Sequence, residues 1–84
     1  MKKLILTHHA ETKMHERRIR LEWIERTIRN ADWIEPEPRD PSAERRFAPV
    51  PEFGGRILRV VCVETESAIR VITVTFDRGA RSGR

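Results

Sequence analysis

Two stretches rich in β-branched residues limit the fold of this chain more than any other feature. Residues 56–64 have the sequence RILRVVCVE and residues 69–76 have the sequence IRVITVTF. Valine, isoleucine and threonine favour extended backbone, and the few residues between the stretches suffice for a tight turn. The sequence therefore predicts an antiparallel hairpin. Because both faces of each strand carry apolar side chains, we expect helices to cover one face of the sheet.

Successive side chains of a strand lie on opposite faces, so the alternation indicates which residues face the same way. In the first stretch Leu58 and Val60 share one face. In the second stretch, alternation predicts that Ile72 and Val74 share a face and that Val71 lies on the opposite one. Since the helices cover one face, only one of these two sets is expected to contact them.

Two helices are predicted in the first part of the chain. Residues 8–18 contain no Gly or Pro, and Thr7 is well placed to cap their first turn. Residues 21–31 carry apolar side chains at the spacing of an amphipathic helix. Only a few residues separate the two helices, which implies a tight helical hairpin. The short apolar stretch at residues 4–7 is a candidate first strand.

Residues 35–55 hold all five prolines of the chain and two of its four glycines. Proline removes a backbone donor and stops helices, so this region is predicted to be a long connection with a short edge strand around residues 45–50. The order of elements predicts an α+β fold, in which an N-terminal helical hairpin packs on an antiparallel sheet of three to four strands. We expect residues 1–77 to form this single domain and residues 78–84 to form a flexible basic tail.

Arginine dominates the charge of the chain. The formal net charge is +4 and the pI is about 10.2, with seventeen basic and thirteen acidic residues. A guanidinium group binds phosphate through paired hydrogen bonds and stacks on bases, so the charge favours nucleic acid as a partner. Arginine-rich usage also arises without such a partner, and the acidic residues offset much of the charge. A chain of this length buries only a small core, so a homodimer is a candidate assembly.

Several classes of protein and site are disfavoured. No apolar run approaches the roughly 18 residues that span a membrane, so we expect a soluble, cytoplasmic protein without membrane contact. The lone Cys62 excludes an intramolecular disulfide and a Cys-rich zinc site. His8, Glu11 and His15 share a helix face, but the two histidines lie about 10 Å apart along the axis. One ion cannot easily bridge that distance with ligands about 2 Å away, so neither a metal nor a cofactor is expected.

The segment HAETKMHERRI (residues 9–19) resembles the pattern His-Ala-x-x-(Arg/Lys)-Met-x-x-Arg-Gly-Ile of an uncharacterised bacterial domain family. The later stretches GRILRVVCVE and VITVT are similar to the closing hairpin of that family. The family is allied to the BrnT-, RelE- and ParE-like toxins of toxin–antitoxin systems, several of which cleave RNA without a metal. The resemblance implies a RelE/BrnT-like fold, ribonuclease activity, and RNA and an antitoxin as partners. Arg18 stands where the pattern has Gly, and Arg20 stands where it has a Ser-type helix cap.

The chemistry of RNA cleavage, together with this resemblance, selects candidate site residues. Cleavage without a metal needs a base near the 2′-OH, an acid for the leaving oxygen, and cations on the phosphate. His9, Lys13 and Arg17 lie at helical intervals, which puts a titratable base and two cations on one helix face. His9 and Arg17 are the catalytic candidates. The candidates for binding phosphate or RNA are Lys13, Arg46, Arg59 and Arg70.

Each of these residues also has a structural interpretation. His9 can cap its helix or pack on the sheet, and the arginines can be solvated or paired with acidic neighbours. The chain contains no Tyr, a residue that several RelE-type nucleases use. The alternative hypothesis is therefore a non-catalytic nucleic-acid-binding or protein-interaction module on the same fold. In either case Trp23 and Trp33 are expected to be core or interface anchors.

Overall fold

A computed structural model describes residues 2–79, so the expected basic tail lies largely outside the described residues. The elements are β1 (Lys3–Leu6), α1 (His8–Glu16), α2 (Leu21–Arg29), β2 (Trp33–Pro36), β3 (Glu44–Val50), a short 3-10 helix (Pro51–Phe53), β4 (Arg56–Glu64) and β5 (Ala68–Phe76). The strand order across the sheet is β1-β5-β4-β3-β2. β1 runs parallel to β5, whereas the other neighbouring strands of the described sheet are antiparallel.

The predicted α+β class is confirmed, but two finer expectations are wrong. The sheet is mixed and has five strands in the described range, rather than three to four antiparallel ones. β1 precedes the helices, so they do not form an N-terminal hairpin. β1 pairs with a strand from the opposite end of the sequence, and Lys3 lies beside Ala68. The two strands pair only after the chain between them closes a long loop, so a pattern within either strand does not predict the pairing.

The proline-rich region contains two strands, so the expectation of a long connection there is wrong. β3 corresponds to the strand predicted around residues 45–50, but it is an internal strand between β4 and β2 and not an edge strand. β2 forms this edge of the sheet. Pro36 ends this edge strand, and Pro51 begins the short 3-10 helix. Pro49 lies in the part of β3 beyond its pairing with β2. The prolines therefore occupy positions where a missing N–H removes few hydrogen bonds of the sheet.

Both helices pack on the same face of the sheet, where they share one core. α1 contacts β5 and β1, and α2 contacts β3 and β4. Ala10, Ile24, Leu58, Val60 and Val74 lie between the layers, each 0% exposed. Burying a valine, leucine or isoleucine side chain contributes about 1.5–3 kcal/mol, so this layer is the main source of stability.

The predicted N-cap of α1 is confirmed. Thr7 Oγ1 accepts a hydrogen bond from the backbone N–H of Ala10 at 3.1 Å, and it donates to the carbonyl of Ile72 at 3.1 Å. One side chain thus caps the helix and ties it to β5. α1 ends at Glu16 and α2 ends at Arg29, in each case two residues before the predicted end.

A β-bulge in β5 changes which side chains face the core. The pairing of β5 with β4 shifts next to Val61, and Ile72 is left without a partner in the ladder. Val71 and Val74 are both 0% exposed although they are three residues apart. The prediction that these two valines lie on opposite faces is wrong, because it assumes unbroken alternation. The bulge also turns Thr73 away from the helices, opposite Val61.

α1 ends in a Schellman-type turn with Arg18 in the left-handed conformation, at φ 54°. The N–H groups of Arg18 and Ile19 donate to the carbonyls of His15 and Met14, respectively. A residue with a Cβ is strained there by roughly 1–2 kcal/mol, whereas glycine is not. Glycine has more freedom in the unfolded chain, which offsets part of this gain. We expect Arg18→Gly to raise the free energy of unfolding by about 0.5–1 kcal/mol.

Urea denaturation measures this change as a higher midpoint at constant m-value. Arg18→Ala is the matched control, because it removes the same side chain but keeps the strained backbone. It should leave the free energy of unfolding within about 0.5 kcal/mol of the wild type. Equal stabilisation by both variants would show that the arginine side chain, and not the backbone, is responsible.

Candidate functional site on the open face of the sheet

One face of the sheet is not covered by the helices, and we refer to it as the open face. Strand alternation puts on it the side chains opposite to those of the core. One row across the strands consists of Trp33, Phe47, Arg59 and Thr75. The next row consists of Glu35, Arg45, Val61 and Thr73. A third row consists of Ile5, Arg70 and Val63. The open face thus combines arginine, threonine, aromatic and aliphatic side chains.

A cavity of about 370 Å³ lies on the open face. Its lining includes Arg45, Arg59, Val61 and Thr73 from the strands, and Arg39 from the connection between β2 and β3. Concave sites that mix apolar surface with a few well-placed polar groups are typical of ligand binding. The cavity is therefore the candidate site.

Two carboxylates also line the cavity, and both are already engaged. Glu37 accepts from the backbone N–H of Arg39 at 3.0 Å and from Nε of Arg45 at 3.0 Å. These contacts, the backbone one first, lower the pKa of Glu37. The hydroxyl and the N–H of Ser42 donate to Asp40 and lower the pKa of that carboxyl. Both carboxylates are ionised at neutral pH, and their contacts hold the connection in shape.

The arginines of the open face have more donors than partners. Arg59 donates Nη1 to Asp77 at 3.1 Å, while its Nε is buried without a hydrogen-bond partner in the described part of the chain. Within residues 2–79, Arg39 and Arg70 form no side-chain ion pair, and Arg45 uses only its Nε. A guanidinium has five N–H donors, so the open face offers unused donors to a ligand rich in acceptors.

The three candidate residues of the α1 region belong to the helix layer and not to the open face. His9 is exposed, and its ring makes no hydrogen bond with any side chain or backbone group of residues 2–79. Lys13 pairs with Glu16 at 3.2 Å. Arg17 reaches β5 and donates to the carbonyl of Val74 at 3.0 Å. The structure therefore does not bring this group together with the arginines of the cavity.

Arg46 lies beneath α2 and is 8% exposed. Its guanidinium donates to the carbonyl of Ile28 at 3.0 Å, to Glu44 at 2.7 Å and to Glu64 at 2.5 Å. Burial alone would lower the pKa of Arg46, but the two carboxylates raise it. Of the candidate phosphate-binding residues, Arg46 is thus tied into a network that joins α2, β3 and β4.

A family model described as "Domain of unknown function (DUF4258)" matches residues 6–76. The chain belongs to this family. No curated protein and no solved structure matches it significantly. The resemblance to a family of uncharacterised domains is confirmed. The match runs from the end of β1 to the end of β5, so the DUF4258 domain includes both helices and nearly all of the open face.

Glu64, which joins Lys2 to the network around Arg46, is expected to make the stability of this DUF4258 domain depend on acid. Glu64 accepts from Nζ of Lys2 at 2.6 Å and from Arg46, and these contacts, that of Lys2 first, lower its pKa to about 2. A carboxylate with a lowered pKa stabilises the fold above its unfolded pKa of about 4.3 and loses this contribution as the pH falls below that value. We expect the midpoint temperature of unfolding, followed by circular dichroism, to fall between pH about 5 and about 2.

Glu64→Gln keeps the size of the side chain but removes the titrating carboxyl. The part of the acid dependence that Glu64 causes should therefore disappear in this variant. The variant should be less stable than the wild type at neutral pH and approach it below pH about 3. Glu66→Gln is the matched control, since Glu66 is exposed and forms no ion pair in the described range. A pH profile of Glu64→Gln identical to that of the wild type would contradict this role of Glu64.

Within residues 2–79, no group of three or more His, Cys, Asp or Glu side chains is placed to hold a metal ion. No helix of the described part is long and apolar enough to cross a membrane. Cys62 is buried, and burial raises the pKa of its thiol to about 11, so it acts as a packing residue.

The candidate residues chosen from the sequence were incomplete for the open face of this DUF4258 domain. Those that the set lacked are Trp33, Arg39 and Arg45. Arg45 and Arg46 are adjacent in β3 and lie on opposite faces, and their shared residue type does not show which one faces the helices. One signal in the sequence distinguishes the two arginines. Arg46 shares its strand face with Ala48 and Val50, and such aliphatic residues suit the layer beneath a helix.

Proposed function

We propose that the open face binds single-stranded RNA through its arginine side chains. The observation that carries the proposal is the surplus of guanidinium donors at the cavity, which Arg39, Arg45 and Arg59 line together. A phosphodiester backbone supplies negative charge and many acceptor oxygens, and arginine binds it through paired hydrogen bonds. The net charge of +4 favours the same ligand at longer range.

The form of the site favours a flexible strand over a duplex. The cavity lies between the sheet and the connection that joins β2 to β3, which supplies Glu37, Arg39 and Asp40 to its lining. A single strand can direct one phosphate or base into such a recess. An A-form duplex presents a wide, shallow groove that needs a longer and flatter contact surface.

Cleavage of the bound RNA is the second candidate function. The resemblance of α1 to the BrnT-, RelE- and ParE-like toxins supports it, and so does the exposure of His9, the candidate acid or base. Binding without cleavage has the stronger support, because all three histidines lie on α1 and the carboxylates of the cavity have lowered pKa values. An antitoxin chain is the protein partner that the resemblance to the toxins implies, and a second copy of the domain is the partner that the small core favours.

The test of RNA binding is an anisotropy titration of a fluorescein-labelled single-stranded oligoribonucleotide in the presence of EDTA. We expect a dissociation constant of roughly 1–100 μM at physiological salt, with tighter binding at lower salt. Each phosphate neutralised on a single strand contributes about 0.7 to the salt slope, so two to three arginines predict a slope of about −1.4 to −2.1. Absence of binding at about 50 mM salt, or binding insensitive to salt, would overturn the proposal.

The same mixtures, separated on a denaturing gel, test cleavage. Products that form in EDTA and disappear in a folded His9→Ala variant would support a metal-independent ribonuclease with His9 in catalysis. His8→Ala is the matched control, because His8 precedes the toxin-like motif and is exposed on the same helix. If the RNA stays intact in all mixtures and still binds, the result would support a nucleic-acid-binding module without catalysis.

A further inference from the structure

Trp33 stands on the open face, and none of the proposed phosphate contacts uses it. Its ring lies 4.7 Å from the ring of Phe47 with an interplanar angle of 6°, which is a parallel stack. Its Nε1 donates to Glu35 at 3.0 Å. The indole is thus held on one face by an aromatic ring and at its edge by a carboxylate, so its orientation is fixed.

Among the described residues, the second face of the indole has no aromatic or cationic neighbour. Trp33 lies on β2, an edge strand, so no strand of the described sheet lies beyond it. In residues 2–79 its one ring contact is with Phe47, and no cation lies over it. By contrast, Trp23 is 7% exposed and contacts the rings of Phe53 and Phe76. Trp33 is only half-buried, and its place at the sheet edge leaves it open to a ligand.

The geometry points to Trp33 as a stacking platform for an unpaired nucleobase, an inference that rests on the proposed RNA binding and specifies its ligand. A base on Trp33 would extend the existing stack with Phe47 along the row that leads to Arg59. Adjacent strands are about 4.8 Å apart, so Arg59 lies roughly 10 Å from Trp33, and Arg45 lies one strand away in the next row. A polynucleotide crossing the strands can therefore place a base on Trp33 and phosphates at Arg45 and Arg59.

Stacking on a protein ring requires a base with a free face. The bases of an A-form duplex are paired and stacked on one another, whereas a single strand can turn one base outward. Every base has an aromatic face, so such a platform tolerates different sequences. The inferred ligand is thus a single-stranded RNA segment bound with little preference among bases.

Two single-tryptophan variants form a matched pair for the test. Trp23→Phe leaves Trp33 as the one tryptophan of the chain, and Trp33→Phe leaves Trp23. Saturation with an oligouridylate of about eight nucleotides should quench the emission of Trp33 by about half or more, because a stacked base quenches indole fluorescence. The emission of Trp23 should change little, since that ring lies in the helix-covered core.

Trp33→Ala supplies a second readout. It should weaken the affinity for oligouridylate about 5- to 100-fold, the range expected for one base–aromatic stack, while changing the affinity for inorganic polyphosphate by less than about twofold. Trp33→Phe keeps an aromatic face and should lose less affinity than Trp33→Ala. Duplex RNA of the same length should bind the wild type more weakly than the single strand.

Failure of this inference and failure of RNA binding give different results. Binding of oligouridylate without quenching of Trp33 overturns the stacking role and leaves the phosphate site standing. An equal loss of affinity for oligouridylate and polyphosphate in Trp33→Ala has the same meaning. Absence of binding by both oligouridylate and polyphosphate overturns the proposed function and the inference together.

Discussion

Replacing Arg46 by alanine is expected to lower the free energy of unfolding by about 2–3 kcal/mol. The side chain is 9% exposed and donates to the carbonyl of Ile28 and to the carboxylates of Glu44 and Glu64. Its removal would take this donor from the carbonyl of Ile28 and from Glu44, whereas Glu64 would keep the hydrogen bond from Lys2. The two carboxylates are partly exposed and can regain water, which keeps the loss below that of a fully buried pair. Thermal unfolding should show a midpoint lower by roughly 10–20 °C.

Arg45→Ala is the matched control, because it removes the same side chain from the adjacent position on the opposite face. The side chain of Arg45 is 26% exposed and its ion pair is with Glu37. Such a pair contributes about 0–1 kcal/mol, so the loss of stability should be correspondingly small. A loss below about 1 kcal/mol in Arg46→Ala, or an equally large loss in Arg45→Ala, would contradict the structural role assigned to Arg46.

Replacing Arg45 and Arg59 together by alanine is expected to weaken the binding of single-stranded RNA about 30-fold at physiological salt, since each contact with phosphate contributes about 1 kcal/mol after screening by solvent. Both side chains line the cavity, and both have guanidinium donors without partners in the described range. The salt slope should fall in magnitude by about 1.4, or about 0.7 for each lost phosphate contact. Anisotropy titrations at several salt concentrations measure both quantities.

The control for this double variant removes two exposed arginines that do not line the cavity, Arg29 and Arg56. It lowers the net charge by the same amount, so it reports the long-range attraction alone. We expect its affinity to fall by less than about threefold. Equal losses in the two double variants would mean that RNA responds to overall charge and not to the open face.

The helices were predicted well because the forces that form them are local. Thr7 caps α1 through a residue three positions away, and the apolar spacing of α2 follows from the geometry of one helix. The ends were less accurate. α1 ends early because Arg18 adopts a left-handed conformation, which the residue type disfavours and the Schellman contacts nonetheless impose.

The candidate site was predicted only in part. Arg59 and Arg70 lie on the open face, but Arg46 lies under α2 and His9 lies on α1. An arginine carries the same chemistry in either setting. Whether the guanidinium meets solvent or a buried carbonyl depends on the register of its strand and on the element that covers the strand. The residues next to the arginine in the sequence determine neither of these.

The sequence by itself determined the α+β class, the two helices with the Thr7 cap, and the hairpin of β4 and β5, because propensity and periodicity act over a few residues. Only the tertiary structure decided the parallel pairing of β1 with β5, the position of β3 inside the sheet with β2 beside it, and the bulge at Ile72. These features depend on contacts between distant segments. The bulge alone exchanges the two faces of the strand for every residue on one side of it. The set of side chains on the open face therefore depends on the tertiary structure.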